Sequence, residues 1–338
     1  MEKLHLGQVK PPTPHTIRGT NYPSIEGWEL VGLAFQSQLA QVYRARPASA
    51  APDRPPAYAL KVLCPQWESD PRAREMFRRE ILLGRLVRHP HLLAVLGGQV
   101  RQPPIYVITP WLEGKTLAQC LAEGWRPDVP VALWIARQVA EALDALHRAG
   151  WMHGDIKPEN IHLAPSGHVT VLDLGFARRP KAPGNALDRC VVGSWAYLAP
   201  EWASGVYRPD IRSDLYSLGV VLFQMLTGRL PFEADSSSEM MRMHRQERAP
   251  ELSKLAPAVP PGVAQLVQTL LAKEPLRRPQ TPEELIDRLV RLEIKRFADR
   301  HWLQHPAVSE HLMGTGWVPV LHTDSSIQQA VAPVPPQT

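Results

Sequence analysis

The stretch His153-Gly154-Asp155-Ile156-Lys157-Pro158-Glu159-Asn160 sets a carboxylate, an ammonium and a carboxamide close together, and Val171-Leu172-Asp173-Leu174-Gly175 adds another carboxylate beside a glycine. Gathered at one place, such groups can do a definite chemistry. Asp155 can take the proton of an attacking hydroxyl, and Lys157 beside it can hold developing negative charge. Asn160 and Asp173 offer hard oxygen ligands of the kind magnesium takes, leaving room for water and phosphate oxygens. Upstream, Lys61 lies on a strand-like run and Glu80 on a helical one; an ion pair between them would aim the lysine at phosphates. Each residue also has a plainer reading. A strand lysine is usually a solvated surface group, Asp and Asn often close turns, and His153 suits packing and hydrogen bonding better than proton transfer.

These side chains need elements to carry them. Trp28–Val31, Ala40–Ala45 and Tyr58–Leu63 read as strands, the last two separated by a loop rich in Pro and Ala from Pro47 to Pro56. Residues 71–87 read as a helix with Phe77, Ile81, Leu82 and Leu86 near one face. Val95–Gly98 and Ile105–Pro110 follow as strands. After Gly114 the pattern turns helical: Val129–Ala149, then an apolar helix over 213–228 expected to be buried all round. A further helix opens at Thr281-Pro282-Glu283-Glu284, with Thr as cap and Glu284 placed for a capping box. The expected organisation is a flexible arm over 1–25, a folded region over 26–297, and a partly disordered extension over 298–338. A β-rich lobe (about 26–110) and a helical lobe (about 114–297) would leave a cleft for a ligand.

Composition narrows the class. The chain has 338 residues, 44 % hydrophobic and 21 % charged, which allows a sizeable core. A net charge of +5 without basic runs interleaved with aromatics argues against a nucleic-acid partner. Cys64, Cys120 and Cys190 form no C-x-x-C pair, which speaks against a disulfide framework or a zinc site and for a reducing compartment. Met1–Pro14 lacks the apolar centre of a signal peptide. Leu215–Leu226, the longest near-apolar stretch, is too short to span a membrane. The expectation is a cytoplasmic protein without a membrane span.

Across about residues 26–297 the motifs, in this order and spacing, resemble the eukaryotic-type (Hanks-type) protein kinase family in its bacterial style. The resemblance implies an α+β, two-lobed protein kinase fold. It makes Lys61 the phosphate-binding lysine and Glu80 its helix partner. Asp155 matches the catalytic base, and Lys157 steadies the transferred group. Asn160 and Asp173 match the metal ligands. Val42 and Ala59 would lie over the adenine and His162 beneath it, where the family usually has an apolar residue. In the hinge Thr109-Pro110-Trp111-Leu112, Thr109 is the gatekeeper and Trp111 a base-site residue. Ser194, in Gly193-Ser194-Trp195-Ala196-Tyr197, would brace the catalytic loop. Ala199-Pro200-Glu201 closes the activation segment, with Glu201 paired to Arg278 and Asp214 a further anchor. Lys157 gives the serine/threonine pattern. The implied ligands are ATP and Mg2+, with Mn2+ as an alternative ion, and the implied partners are proteins bearing Ser or Thr acceptors.

The chain also departs from the family. The three glycine positions of the phosphate loop hold Phe35, Ser37 and Ala40, which removes the freedom that lets backbone amides approach phosphates. Gly154 replaces the arginine that commonly receives an activation-segment phosphate. Residues 176–193 contain no Ser, Thr or Tyr. Activity independent of phosphorylation there is the matching expectation. Gly84 stands where a bulky side chain usually links helix to sheet, so a gap is expected. With it goes a mobile helix that pairs Glu80 with Lys61 only when nucleotide or a partner binds. The alternative function is a pseudokinase or scaffold with a degenerate loop. A small-molecule phosphotransferase fits less well, because such enzymes generally lack Ala199-Pro200-Glu201.

Overall fold

Alternation of apolar and polar residues builds the small lobe. β1 (Trp28–Gln36), β2 (Ala40–Pro47) and β3 (Tyr58–Leu63) pair antiparallel, and β5 (Tyr106–Pro110) and β4 (Gly97–Gln99) complete a five-stranded sheet in the order β1-β2-β3-β5-β4. Because strand side chains alternate between faces, Tyr43, Ala45, Leu60 and Val62 cluster on the outer face, while Lys61 and Leu63 point the other way. The computed structural model describes residues 22–180, 195–204 and 208–298. Ile25 is buried against the outer face and Tyr22 packs edge-on to Tyr43. The last residues of the expected arm therefore belong to the small lobe; residues 1–21, and the extension beyond 298, lie outside the described residues.

α1 (Pro71–Leu86) starts where the Asp70 carboxylate accepts the Arg72 N–H and proline occupies the first turn. Its inward face is Ala73, Phe77, Glu80, Leu83 and Gly84. The sequence reading placed Leu82 and Leu86 on that face, and the structure exposes both. At 100° per residue they lie roughly opposite Phe77. The expected strand at Val95–Gly98 is shifted to Gly97–Gln99, which frees Val95 to face the helix. That shift closes the expected gap. A Cβ on Gly84 would stand 2.3 Å from Val95 Cγ2, so the valine already occupies the space.

The chain then enters the large lobe through β6 (Lys115–Thr116), α2 (Leu117–Ala122) and α3 (Val129–Arg148). β7 (Ile161–Leu163) and β8 (Val169–Val171) join β6 in a three-stranded sheet. This sheet and α2 escaped the sequence reading, since strands of two or three residues leave no periodic signal. α4 (Glu201–Ser204) leads to α5 (Ile211–Thr227), α6 (Ser237–Gln246), α7 (Leu252–Leu255), α8 (Pro261–Leu270) and α9 (Pro282–Ala298). α5 is buried nearly all round, capped by Asp210 and stopped by Gly228 at φ 76°. α9 begins as expected, with Thr281 Oγ1 accepting the Glu284 N–H, although the Glu284 carboxylate reaches the N–H of Gln280. Leu83, Val87 and Leu92, from α1 and the loop after it, sink into the large-lobe core and join the two lobes. The fold is the α+β, two-lobed arrangement expected.

Two outcomes follow from this packing. Gly84→Ala should lower the melting temperature: helix propensity favours alanine by about 1 kcal/mol, but overpacking against Val95 costs about 1–3 kcal/mol. A raised melting temperature would mean that Val95 yields. The second concerns His244, fully buried with Nδ1 2.8 Å from the Tyr216 hydroxyl. Burial, then nearby Lys273, brings its pKa from 6.5 down to about 4. Between those values the unfolded chain takes up a proton at this residue that the folded chain refuses, so stability falls as pH drops through the window. Melting followed from pH 7 to 4 should show that fall, and His244→Gln, which keeps an acceptor for Tyr216, should flatten it. An equal fall in the variant would exclude His244 as its source.

Candidate functional site

Period-two geometry on β3 and the i, i+3, i+4 face of α1 aim two side chains at one point. Lys61 Nζ sits 2.8 Å from Glu80 Oε2 and 3.0 Å from Asp173 Oδ2. Burial opposes the lysine's charge, yet Asp173 and Glu80 outweigh it and raise its pKa. Burial likewise raises the Asp173 carboxyl, but Lys61 and the Gly175 N–H more than offset it, leaving a net lowering. Glu80 lies deeper, and there burial wins and pushes its pKa up. The expected mobile helix is thus corrected: with Val95 filling the space beside Gly84, α1 holds Glu80 in contact with Lys61.

The loop after α3 is held by its backbone. The N–H groups of His153 and Gly154 both donate to the buried Asp214 carboxylate at 2.7 Å. His153 accepts the Asp155 N–H at Nδ1 and faces the Leu172 carbonyl through Nε2, so the Nε2-protonated tautomer satisfies both contacts. Gly154 takes φ 79°, a left-handed conformation that glycine adopts without a side-chain penalty. This pins Asp155, whose Oδ2 receives Lys157 Nζ at 2.8 Å and Asn160 Nδ2 at 3.0 Å. With its Nδ2 engaged there and on the Asp155 carbonyl, Asn160 leaves Oδ1 as a possible ligand oxygen. Asp173 itself takes φ 60°, and its Oδ1 receives the Gly175 N–H.

Around the cleft, Val42 pairs with Lys61, and Ala59 with Thr109, across neighbouring strands. His162 is buried on β7, between Thr116 and Thr170 in register. Burial brings its pKa down to about 4, so the imidazole is neutral at pH 7. Trp111 follows β5. Its backbone N–H donates to the Ala57 carbonyl, and the Arg44 guanidinium covers its ring at 4.7 Å while bonding Glu113. The indole thus presents one face to Arg44 of the small lobe.

The loop lacking glycines has its own architecture. Ser37 Oγ accepts the N–H groups of Leu39 and Ala40 at 3.2 and 3.0 Å. Leu39 is buried beside Phe77, and the Gln38 carbonyl accepts Trp67 Nε1. The tip is therefore a closed turn fastened to the small lobe. Sequence reading marked Ser37 only as a missing glycine; a serine two residues before the turned amides is the signal it passed over.

At the far end, Glu201 and Arg278 form a bidentate pair at 2.7 and 2.9 Å with both side chains essentially fully buried. Ser213 Oγ also donates to Glu201. The turn Trp195–Tyr197 is fixed on α5, where Tyr197 bonds Gln224 and its carbonyl accepts Ser217 Oγ. Ser194 and most of the segment before it, residues 181–194, lie outside the described residues.

The protein kinase domain family matches residues 38–289. The chain is 32 % identical over 265 residues to a probable serine/threonine-protein kinase of Clostridium perfringens, covering 78 % of this chain and 38 % of that protein. It is 34 % identical over 267 residues to serine/threonine-protein kinase pkn3 of Myxococcus xanthus (76 % and 48 %) and 31 % identical over 227 residues to serine/threonine-protein kinase PrkC of Bacillus subtilis (67 % and 35 %). The chain spans less than half the length of each of these relatives. Among the described residues no helix is long and apolar enough to cross a membrane. A match running through both lobes, over a lysine–carboxylate triad that joins them, leaves one conclusion about kinship: this chain belongs to the protein kinase domain family, beside its bacterial serine/threonine members.

Proposed function

We propose that the chain transfers the γ-phosphoryl group of ATP to Ser and Thr hydroxyls of other proteins. The observation that carries this reading is the Lys61–Glu80–Asp173 triad facing the Asp155–Lys157–Asn160 loop. In the proposed reaction Lys61, oriented by Glu80, holds the α- and β-phosphates. Val42, Ala59 and Thr109 enclose the base from the small lobe, and the neutral His162 forms its floor. Asp155 orients the acceptor hydroxyl and takes its proton as the new O–P bond forms. The bond to the β-phosphate oxygen breaks, ADP leaves, and Lys157 offsets charge on the group in transit. Positioning and charge stabilisation supply most of the acceleration.

The donor set fits a hard divalent ion that arrives with the nucleotide. Asp173 retains lone pairs beyond those directed at Lys61 and Gly175, and Asn160 retains Oδ1. Asn160 and Asp173 would hold magnesium, or manganese in its place, which when bound neutralises phosphate charge. The closed turn at Ser37 favours weak nucleotide binding, since the amides that would approach the phosphates donate to a side chain instead.

The test is transfer of labelled phosphate from Mg-ATP by the purified chain to itself and to a generic basic protein. Asp155→Ala should lower kcat by about 100-fold or more, as loss of a general base does, and Lys61→Met should abolish detectable transfer. Label on Ser or Thr that disappears in both variants supports the reading. No label from the unmodified chain, with nucleotide still bound, would turn it toward a binding module. Ser37→Gly releases the Leu39 and Ala40 amides and should lower the KM for ATP roughly three- to tenfold. An unchanged KM would mean that those amides stay turned from the phosphates.

A further inference from the structure

Two arginines leave the chain just after Gly175, and each ends on a tryptophan. Arg178 and Met152 exchange both backbone hydrogen bonds, at 2.9 and 3.0 Å, in an isolated antiparallel bridge. In such a stub successive side chains turn to opposite sides, and the next residue is also an arginine. The Arg178 guanidinium lies 4.6 Å from the centre of the Trp202 ring, and that of Arg179 lies 5.2 Å from Trp151. Trp202 is buried, so Arg178 meets a ring face fixed in the core, where a cation–π contact is strongest.

The positions of the two rings give these contacts their meaning. Trp202 follows Glu201, which is locked to Arg278, and Trp151 precedes Met152 at the entrance to the Asp155 loop. Stacking on Trp202 therefore ties the start of the segment that follows Asp173 to its end. That end carries Tyr197, which shares the lining of a cavity of about 240 Å³ with Pro158 and Glu159 of the Asp155 loop. In the same segment, residues 176–193 offer no hydroxyl to phosphorylate, and Gly154 has no side chain to receive a phosphate.

We infer that Arg178 and Arg179 are positioning residues whose stacking on Trp202 and Trp151 sets the protein-docking end of this segment against the large lobe, in the absence of any phosphate. The inference rests on the proposed phosphotransfer and adds how its acceptor side is kept assembled. Guanidinium-to-ring contact does here with two side chains what an added phosphate and a loop arginine would do together. The ring contact needs a cation over a ring, so lysine at position 178 preserves part of that contact and methionine, of similar length, preserves none.

The experiment compares the unmodified chain with Arg178→Met, Arg178→Lys and Trp202→Phe. It reads KM for a protein acceptor, KM for ATP, and hydrogen exchange of the Leu198 and Trp202 amides. Both amides are bonded inside the anchored end, to Trp195 and Ala199. Arg178→Met should raise the acceptor KM about tenfold, between the scales of an exposed and a desolvated cation–π contact as suits a half-buried arginine, with the ATP KM unchanged and both amides exchanging faster. Arg178→Lys and Trp202→Phe should lie between that variant and the unmodified chain. Phosphatase treatment of the unmodified chain should change neither KM. If the acceptor KM and the exchange are the same in Arg178→Met as in the unmodified chain, the inference is overturned. An equal rise in both KM values would overturn it too, since that is general loosening. Should the unmodified chain transfer no phosphate, the proposed function fails, and the exchange rates still decide the brace: faster exchange in Arg178→Met than in Arg178→Lys upholds it, and equal rates in Arg178→Met and either Arg178→Lys or the unmodified chain remove it.

Discussion

Lys61 carries one positive charge between two carboxylates, Glu80 on the small-lobe helix and Asp173 on the large-lobe loop, at 2.8 and 3.0 Å. An ammonium so enclosed costs several kcal/mol to desolvate, and neither carboxylate alone would hold it in this place. The need for both fixes the geometry of the whole molecule. α1 must bring Glu80 under the sheet, which requires the close approach of Val95 to Gly84. The loop after β8 must rise to the same point, which requires the left-handed turn at Asp173 and the bond from Arg79 to the Gly175 carbonyl. Asp173, whose carboxyl Lys61 and the Gly175 N–H hold below the usual carboxylate range, is the ionised partner of the lysine. A carboxylate and an ammonium side by side present both signs of charge at the point where the two lobes meet.

The Asp155 loop depends on a second buried carboxylate. Asp214 lies inside α5 and spends its two oxygens on the His153 and Gly154 amides. A charge at that depth is tolerated because it is hydrogen-bonded at both oxygens. The result is a loop whose path is set from beneath, so Asp155, Lys157 and Asn160 need only their own short contacts to be mutually aligned. Glu201 and Arg278 repeat the device at the start of α4, where loss of one partner would strand the other charge at a cost of about 3–5 kcal/mol. Buried, fully bonded charges thus mark the three places where backbone must not move.

Much of this was legible in the sequence, and the limits have physical causes. Lys61, Glu80, Asp155, Lys157, Asn160 and Asp173 were picked out by residue type and spacing, and the structure brings them together in the two expected groups. The long helices α3, α5 and α9 were read from their apolar stripes. The inward face of α1 was misread, because Leu82 and Leu86 look like core residues by type while Glu80 and Gly84 do not. Gly84 was taken for a gap, since a sequence does not reveal which residue from another element fills a missing side chain. The Arg44 contact on Trp111 was illegible for the same reason, since the two residues are far apart in sequence. The turn at Ser37 was missed for a different reason. A comparison with glycines registers what was lost, whereas the hydroxyl adds a turn of its own.

Those last features share a logic. At the Ser37 turn a side-chain oxygen occupies amides that a glycine-rich loop would leave free for phosphate. At Gly84 a valine from the neighbouring loop replaces the helix's own side chain. Beyond Gly175, two tryptophan rings face two arginines. In each case a contact that could have come from glycine backbone, a helix residue or an added phosphate comes instead from side chains already in the chain. Contacts internal to the protein have their entropy cost met on folding. The corresponding loss is responsiveness: an element fixed by the fold offers little for a ligand or a phosphate to shift. In this chain the fold itself supplies contacts at all three places.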